Sequence, residues 1–315
     1  LATARIIDAA KSESRPFKPK STLMYALGLL LGFLLPGAIL YLQDLLSRRI
    51  RNKQDILDNT PVPIIAEIGH NDEDHVVFDN RSPLAEQFRA LRTNLQFVLS
   101  NADEKVIMLT STMSGEGKSF VSTSLASVLA LSGKKVVLME MDLRKPKISE
   151  KLGLSNFSGF STYSIGKTSV SELIKPSGFN DNCFVISSGP IPPNPTELIL
   201  QERTRHLFQE LRNQFDYIII DTAPIGLVTD AQLLAKYADA TMYLVRQRYT
   251  FKNQLMLPKE LYINKKFPKL NIVVNDVKVG DEYGYGYGYG AYGENEGKYQ
   301  ENRILKKLKK AKINK

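Results

Sequence analysis

The sequence is poor in the residues that build disulfides and zinc sites. Its 315 residues include one cysteine, three histidines and no tryptophan. The single Cys183 excludes an intrachain disulfide and fits a reducing compartment. Its apolar neighbours favour a small buried side chain over a reactive thiol. The scattered histidines offer no metal-binding cluster of the zinc type.

Excess positive charge is scarce outside the end of the chain. The formal net charge is +9, but residues 303–315 contribute seven positive charges and no negative one, which leaves +2 for residues 1–302. The basicity therefore belongs to a C-terminal tail, and the folded part is not predicted to carry a nucleic-acid-binding face. Hydrophobic residues make up 43% of the sequence, which is ample for a core.

One long run of the chain lacks charge altogether. Leu23 to Leu42 comprises twenty uncharged residues, and a helix of this length would span about 30 Å, the thickness of a bilayer core. We predict a transmembrane helix over residues 21–46, because a buried helix of a soluble domain usually shows a polar stripe and a signal peptide is shorter. Residues 1–20 are predicted to be an extracytoplasmic linker where a fragment begins, and residues 47–80 a cytoplasmic linker. Basic residues flank both ends of the helix, so charge bias alone does not fix its orientation.

The stretch from Val106 to Phe120 is typical of a strand, a loop and a helix. Val106 to Leu109 is a short apolar run, Ser119 to Ala130 is predicted to be helical, and Gly-Glu-Gly-Lys-Ser lies between them. This context indicates a P-loop, although Thr112 stands where the common pattern has glycine. A Gly/Ser turn without function is the alternative. The predicted nucleotide-binding residues are Thr112, Met113, Ser114, Gly115, Glu116, Gly117, Lys118, Ser119 and Phe120, together with Asn275 at the end of a later strand.

The residue types of the loop indicate separate tasks. Gly115 and Gly117 permit backbone N–H groups to approach phosphates closely. Lys118 would reach the β- and γ-phosphates, and the Ser119 hydroxyl would ligate Mg²⁺. Asp221 ends a run of hydrophobic residues in a Walker B pattern, in which the carboxylate holds Mg²⁺ through its water shell. A strand-end cap is the alternative for this residue.

Repeated strand–helix units predict the fold. Buried-strand candidates at residues 135–140, 184–186, 215–221, 241–245 and 270–274 alternate with helices. This pattern predicts an α/β domain over residues 81–278, with a doubly wound, mostly parallel sheet. Glu140 and Asp142 follow one strand and are expected beside the P-loop.

Three local features are read from helix positions. Ser82 and Pro83 are typical of a helix start. In that helix Glu86, Arg89 and Arg92 share one face, and a solvated charged face with an internal Glu86–Arg89 pair is the plain alternative to a binding role. Thr196, after a proline-rich loop, is predicted to be an N-cap.

Residues 279–302 are rich in tyrosine interleaved with glycine, and the two alternate strictly over residues 283–290. Glycine at every second position leaves no face that can pack, so this tail is predicted to be disordered. A Tyr/Gly linker without chemistry is the alternative. The tail tyrosines are Tyr283, Tyr285, Tyr287, Tyr289, Tyr292 and Tyr299.

Together, these motifs resemble the bacterial tyrosine kinases (BY-kinases) of capsular and exopolysaccharide synthesis, of the Wzc type. Residues 110–119 resemble the family's phosphate loop, residues 140–144 its Walker A′ motif, and residues 218–224 its Walker B motif. Residues 86–92 resemble the E-x-x-R-x-x-R oligomerisation motif, and the tyrosine-rich tail is also similar. The resemblance covers roughly residues 20–300.

The resemblance implies a MinD/ParA-like P-loop fold that uses ATP and Mg²⁺. It implies catalytic roles for Lys118, Glu140, Asp142 and Arg144, a metal set of Ser119, Asp142 and Asp221, and phosphorylation of the tail tyrosines. Glu140 stands where the family usually has aspartate, and its extra methylene moves the carboxylate by about 1 Å.

The resemblance also implies partners and a location. They are a homo-oligomeric ring, of eight copies by family likeness, a low-molecular-weight or PHP-type tyrosine phosphatase, and an outer-membrane polysaccharide export protein. The expected location is the bacterial inner membrane, with a periplasmic domain upstream and the kinase domain in the cytoplasm.

Two rival functions share parts of the pattern. A MinD/ParA-type ATPase would carry a lysine at the position of Met113, and a membrane span is foreign to that class. A structural polysaccharide co-polymerase with a regulatory nucleotide site would not need the tyrosines. The tyrosine cluster therefore separates a kinase from both rivals.

Overall fold

The computed structural model describes residues 20–45, 48–71 and 82–278. The tyrosine-rich tail, the basic tail and nearly all of the predicted N-terminal linker lie outside these residues. The chain divides into two units, Leu1–Arg48 and Arg49–Lys315. Each unit is described by itself.

The first unit contains a single described helix, α1 (Ser21–Leu45). Its segment Thr22–Ile39 has a mean hydropathy of 1.9, and none of that segment is buried. A long helix that is apolar and uncovered has the length and composition of a membrane span, as the sequence predicts. A signal sequence would pass the same test of length and composition.

The second unit is built on an eight-stranded sheet with the strand order β1-β8-β7-β2-β6-β3-β5-β4. Neighbouring strands are parallel except for the antiparallel pair β4–β5. The α/β class and the mostly parallel sheet are thus confirmed. The strands are β1 (Ile64–Gly69), β2 (Val106–Ser111), β3 (Val136–Met141), β4 (Ile174–Pro176), β5 (Cys183–Ile186), β6 (Tyr217–Thr222), β7 (Ala240–Arg246) and β8 (Leu270–Val277).

Helices connect the strands and cover both faces of the sheet. Those of the second unit are α2 (Lys53–Leu57), α3 (Pro83–Val98), α4 (Lys118–Leu131), α5 (Ile148–Lys151), α6 (Phe160–Ser164), α7 (Val170–Leu173), α8 (Pro195–Leu200), α9 (Glu202–Gln214), α10 (Asp230–Leu234) and α11 (Met256–Ile263).

The two faces bury two separate cores, because successive strand residues point to opposite sides. In β2, Ile107 packs in the core that contains residues of α3 and α4, whereas Met108 packs in the core that contains residues of α9. All six residues of β2 are buried. A parallel strand covered on both faces reads as a continuous apolar run, which explains why β2, β3 and β6 are recognisable in the sequence.

The sheet starts earlier in the chain than residue 81. Strand β1 and helix α2 both fall within the predicted 47–80 linker, and β1 pairs in parallel with β8. Its short apolar run follows Pro61 and Pro63, and this punctuation is also typical of a connecting segment. The second unit therefore begins at Arg49.

Of the two helix starts that the sequence predicts, the structure confirms the one at Ser82 and not the one at Thr196. The Ser82 hydroxyl accepts a hydrogen bond from the Ala85 N–H at 3.1 Å, and Pro83 begins α3. The prediction of Thr196 as an N-cap is wrong. Helix α8 begins one residue earlier, at Pro195, whose fixed φ suits the first helical position.

The strand order brings three chain segments together at the carboxyl ends of three central strands, β2, β6 and β3. Strand β6 lies between β2 and β3, and Asp221 is in register with Leu109 on one side and with Glu140 on the other. The loop after β2 and the turn after β3 therefore flank Asp221.

Candidate nucleotide and metal site

The loop between β2 and α4 turns tightly at two glycines. Gly115 has φ +87° and Gly117 has φ +95°, a conformation that side chains disfavour. A Cβ at Gly117 would lie 2.0 Å from Asn275 Nδ2, and one at Gly115 would lie 2.8 Å from Tyr249 Oη. Both positions therefore require glycine, for conformation and for space.

Lys118 begins α4 and is only 7% exposed. Its Nζ donates to the Ser111 hydroxyl at 3.0 Å. Burial lowers the pKa of Lys118, while the nearby carboxylates of Asp221 and Asp142 oppose that shift. An ammonium group has three donors, so a phosphate can take the donors that Ser111 does not use.

Ser119 and Asp221 meet directly. The Ser119 hydroxyl donates to Asp221 Oδ2 at 2.7 Å. Asp221 is 2% exposed, and its Oδ1 has no hydrogen-bond partner among the residues described. Burial raises the pKa of Asp221 to about 7. A hydroxyl beside a buried carboxylate with one oxygen unsatisfied is a hard-oxygen donor set that fits Mg²⁺.

Asp142 lies in the turn after β3 and is partly exposed. Its Oδ1 accepts from the backbone N–H groups of Arg144 and Lys145 at 3.3 and 3.0 Å. Its charge is close enough to raise the pKa of Asp221. The structure thus places Asp142 near the Ser119–Asp221 pair, without a direct hydrogen bond to either among the contacts described.

Glu140 is 1% exposed, and its carboxylate is held by protein donors. Oε1 accepts from the backbone of Ile148 and Ser149, and Oε2 accepts from the Ser149 hydroxyl at 2.6 Å and the Ser188 N–H at 3.3 Å. A buried carboxylate requires such partners. These contacts tie β3 to the start of α5 and to the loop after β5.

Arg144 pairs with a residue that the sequence does not single out. Its Nε donates to Asp230 Oδ2 at 2.9 Å, and this ion pair raises the pKa of Arg144. Asp230 is fully buried and also accepts from the Thr196 hydroxyl at 2.9 Å. Thr196 therefore helps to fix the carboxylate that orients Arg144.

The face of α3 that carries the predicted oligomerisation residues is partly exposed. Glu86 and Arg89 form an ion pair within the helix, as the solvated-face alternative expects. Arg92 Nη1 lies 3.4 Å from the Val128 carbonyl oxygen on α4. The role of this face in assembly stays a prediction.

A cleft of about 140 Å³ opens beside the glycine loop. Of its lining, the sequence predicts Gly117, Phe120 and Asn275. The contributions of β1 and of the end of β7 are missed, because only tertiary pairing brings them here. The lining residues are Gly69, His70, Asn71, Gly117, Phe120, Arg246, Asn275 and Asp276.

Comparison with known proteins agrees with the family resemblance that the sequence motifs indicate. A family model described as an AAA domain matches residues 104–253. The chain is 37% identical over 202 residues to the tyrosine-protein kinase YwqD of Bacillus subtilis, a match that covers 64% of this chain and 85% of the relative. It is 31% identical over 266 residues to the tyrosine-protein kinase wzc of Salmonella typhi, a match that covers 78% of this chain but only 37% of the relative. The chain also matches a relative from Klebsiella pneumoniae, and this match covers 42% of that relative's length.

Solved kinase domains share the fold. The chimerical protein CapA2B2 superposes with a TM-score of 0.66 and 32% identity, covering 71% of this chain and 98% of that one. The kinase domain of the Escherichia coli tyrosine kinase ETK gives a TM-score of 0.66 with 25% identity, covering 76% and 100%. With its phosphate loop, its buried Ser119–Asp221 pair and these relatives, the chain belongs to the family of bacterial tyrosine-protein kinases.

Proposed function

We propose that this chain is a membrane-anchored, ATP-dependent tyrosine autokinase. It phosphorylates its own C-terminal tyrosines in trans within a ring oligomer, and thereby regulates polysaccharide polymerisation and export. The observation that carries the proposal is the convergence of Lys118, Ser119 and Asp221 at the carboxyl ends of adjacent strands, in a chain of the tyrosine-kinase family.

The chain's own groups have defined tasks in this reaction. Bound ATP with Mg²⁺ supplies the γ-phosphoryl group and neutralises its oxygens. Lys118 would hold phosphate oxygens with the donors that Ser111 does not use, and Ser119, Asp142 and Asp221 would hold the metal. Asp221 performs this task as a carboxylate anion, so its raised pKa makes metal binding dependent on pH.

Two carboxylates could serve the incoming tyrosine hydroxyl. Glu140 is fully engaged by protein donors, which favours a role in positioning the turn after β3. Asp142 is the more accessible of the two, which favours it as the group that orients the hydroxyl. Arg144, fixed by Asp230, supplies positive charge at the same turn.

The proposed partners follow from the family. We propose a homo-oligomeric ring at the bacterial inner membrane with the kinase unit in the cytoplasm, a tyrosine phosphatase that resets the tail, and an outer-membrane export protein. The apolar helix α1 supports the membrane part of this proposal.

Replacing Lys118 with methionine should abolish autophosphorylation and leave the fold intact. The variant removes the buried ammonium that faces the loop, and loss of one such charge stabilisation costs about 10²–10³-fold in rate. Phosphotyrosine formation with ATP and Mg²⁺ measures the loss, and circular dichroism checks the fold. Activity at the wild-type level would exclude the assignment.

Alanine at Glu86, Arg89 and Arg92 together should convert the oligomer into a monomer. Arginine forks suit carboxylates of a neighbouring copy, and the changes leave the buried face of α3 untouched. Analytical ultracentrifugation of the detergent-solubilised chain measures the outcome. An unchanged sedimentation coefficient would favour the solvated-face alternative.

Mixing two complementary chains tests transfer between copies. One chain carries Lys118→Met and keeps its tyrosines, and the other is active but has phenylalanine at its six tail tyrosines. The sequence predicts a disordered tail, and about ten disordered residues would reach roughly 17–19 Å, so a neighbour's site is a plausible destination. Phosphate should appear on the inactive chain. Its absence from a mixture with demonstrated co-assembly would refute transfer in trans.

The metal-free protein should lose stability as pH rises through the range of Asp221. The unfolded carboxyl group releases its proton near 3.8 and the folded one at about 7, so the folded state binds more protons between these values and its stability falls with pH. The shift corresponds to at most about 4 kcal/mol. Urea unfolding at several pH values should show this loss for the wild type relative to Asp221→Asn. A difference between them that does not vary with pH would contradict the shift.

A further inference from the structure

The last residue of β7 and the turn after it donate hydrogen bonds to the phosphate loop. We call residues 246–251 the brace segment. Tyr249 Oη donates to the Ser114 carbonyl oxygen at 2.9 Å, and Arg246 Nη1 donates to the Gly115 carbonyl oxygen at 2.9 Å. The Arg246 guanidinium also lies over the Tyr249 ring, 5.2 Å from its centroid. Two consecutive carbonyl groups of the loop are therefore fixed by one short segment.

The third contact of the brace segment is buried. Thr250, 1% exposed, donates its hydroxyl proton to Glu116 Oε1, and the same hydroxyl accepts from the Arg246 N–H at 2.9 Å. Glu116 has no exposed surface, and its Oε2 accepts from the Met113 N–H at 2.7 Å. The Glu116 carboxylate thus links the start of the glycine loop, at Met113, to its middle. Thr250 connects this carboxylate to Arg246 at the end of β7.

The Glu116 carboxylate is fully buried inside the protein. The side chain is buried against Thr250, while the backbone oxygen of Glu116 accepts from Asn275 Nδ2 at 3.0 Å. A buried carboxylate is costly unless hydrogen bonds compensate it. Loss of the Thr250 hydroxyl would leave Glu116 Oε1 without this donor, so the loop would have to rearrange to let the carboxylate reach water.

The brace segment is itself hydrogen-bonded to the chain that leads from α1. The Ile50 N–H donates to the Thr250 carbonyl oxygen at 2.9 Å, and the Arg248 N–H donates to the Ile50 carbonyl oxygen at 2.7 Å. Ile50 is fully buried, and Gln247 Nε2 donates to the Arg51 carbonyl oxygen at 2.6 Å. Residues 49–51 therefore contact three residues of the brace segment, Gln247, Arg248 and Thr250.

We propose that Thr250 and Glu116 are positioning residues for nucleotide binding, and that residues 49–51 set the conformation of the phosphate loop through them. The proposal rests on the nucleotide site of the proposed function, but not on the identity of the phosphate acceptor. Movement of the chain that follows α1 would reach the glycine loop through two hydrogen-bonded steps.

The test measures binding of a fluorescent Mg–ADP analogue to the full chain in detergent. Thr250→Val removes the hydroxyl at nearly constant volume and should weaken binding by about tenfold or more, the effect of losing a hydrogen bond to a charged group. Thr250→Ser restores the hydroxyl and should bind within about twofold of the wild type. Wild-type affinity in Thr250→Val would overturn the proposal.

Thr204→Val is the matched control. Thr204 is fully buried in α9, and its hydroxyl donates to the Leu198 carbonyl oxygen at 3.0 Å, away from the glycine loop. Thr204→Val also loses one buried threonine hydroxyl, and it should keep wild-type affinity for the analogue. If both valine variants weaken binding equally, the effect is general destabilisation and the positioning role fails.

The contribution of residues 49–51 is tested by a double-mutant cycle. Ile50→Pro removes the N–H that bonds to Thr250, and the milder Arg49→Ala removes the bond from Arg49 Nη1 to the Arg248 carbonyl oxygen, measured at 3.0 Å. If residues 49–51 act through Thr250, each change should weaken binding alone and add little to Thr250→Val. If the losses of binding free energy in the single variants add fully in the double variants, residues 49–51 do not act through Thr250. If Ile50→Pro does not fold, Arg49→Ala alone decides, and wild-type binding in that variant would refute the link.

These measurements separate the two proposals. A chain that binds the analogue through Thr250 but never phosphorylates tyrosine would refute the kinase function and leave the positioning role standing. If the chain phosphorylates tyrosine but Thr250→Val binds the analogue with wild-type affinity, the kinase function stands and the positioning role is refuted.

Discussion

The site depends on keeping charge buried at the carboxyl ends of the central strands. Lys118, Glu116, Glu140 and Asp221 are all less than 8% exposed, although ionised groups are expensive to remove from water. Each of the first three is compensated by protein partners, whereas Asp221 retains one unsatisfied oxygen. The unsatisfied oxygen is the one that the proposed Mg²⁺ would complete, so the cost of burying it supports the proposed metal site.

The same constraint explains the division of labour between neighbouring carboxylates. Glu140 lies in β3 and Asp142 lies in the turn that follows. The Glu140 carboxylate is engaged by four donors, whereas the Asp142 carboxylate is engaged only by its own turn. A glutamate can reach the start of α5 because of its extra methylene. The longer side chain at this position strengthens the scaffold around the turn after β3, and Asp142 remains the more accessible of the two carboxylates.

The parts of this protein that sequence analysis predicts are those encoded locally. The apolar run of β2, the two glycines and the Lys-Ser pair specify the loop, and Ser82 with Pro83 specifies the start of α3. Thr250 could not be found in this way, because its partner Glu116 is 134 residues away in the chain. Asp230 was missed for the same reason, and Thr196 has the pattern of a helix cap but bonds to Asp230 instead.

The edges of the sheet have a consequence for how copies of this chain can meet. At one end, β4 has only three residues, and the last is Pro176, which has no N–H to offer. At the other end, α3 occupies polar groups of β1. Gln87 accepts from the Gly69 N–H at 2.6 Å and Asn94 donates to the Ile65 carbonyl oxygen at 2.8 Å. In the described part of the chain, a neighbouring copy would therefore find little free backbone with which to extend the sheet. The proposed assembly would then rest on side-chain surfaces, which can separate without breaking a strand ladder.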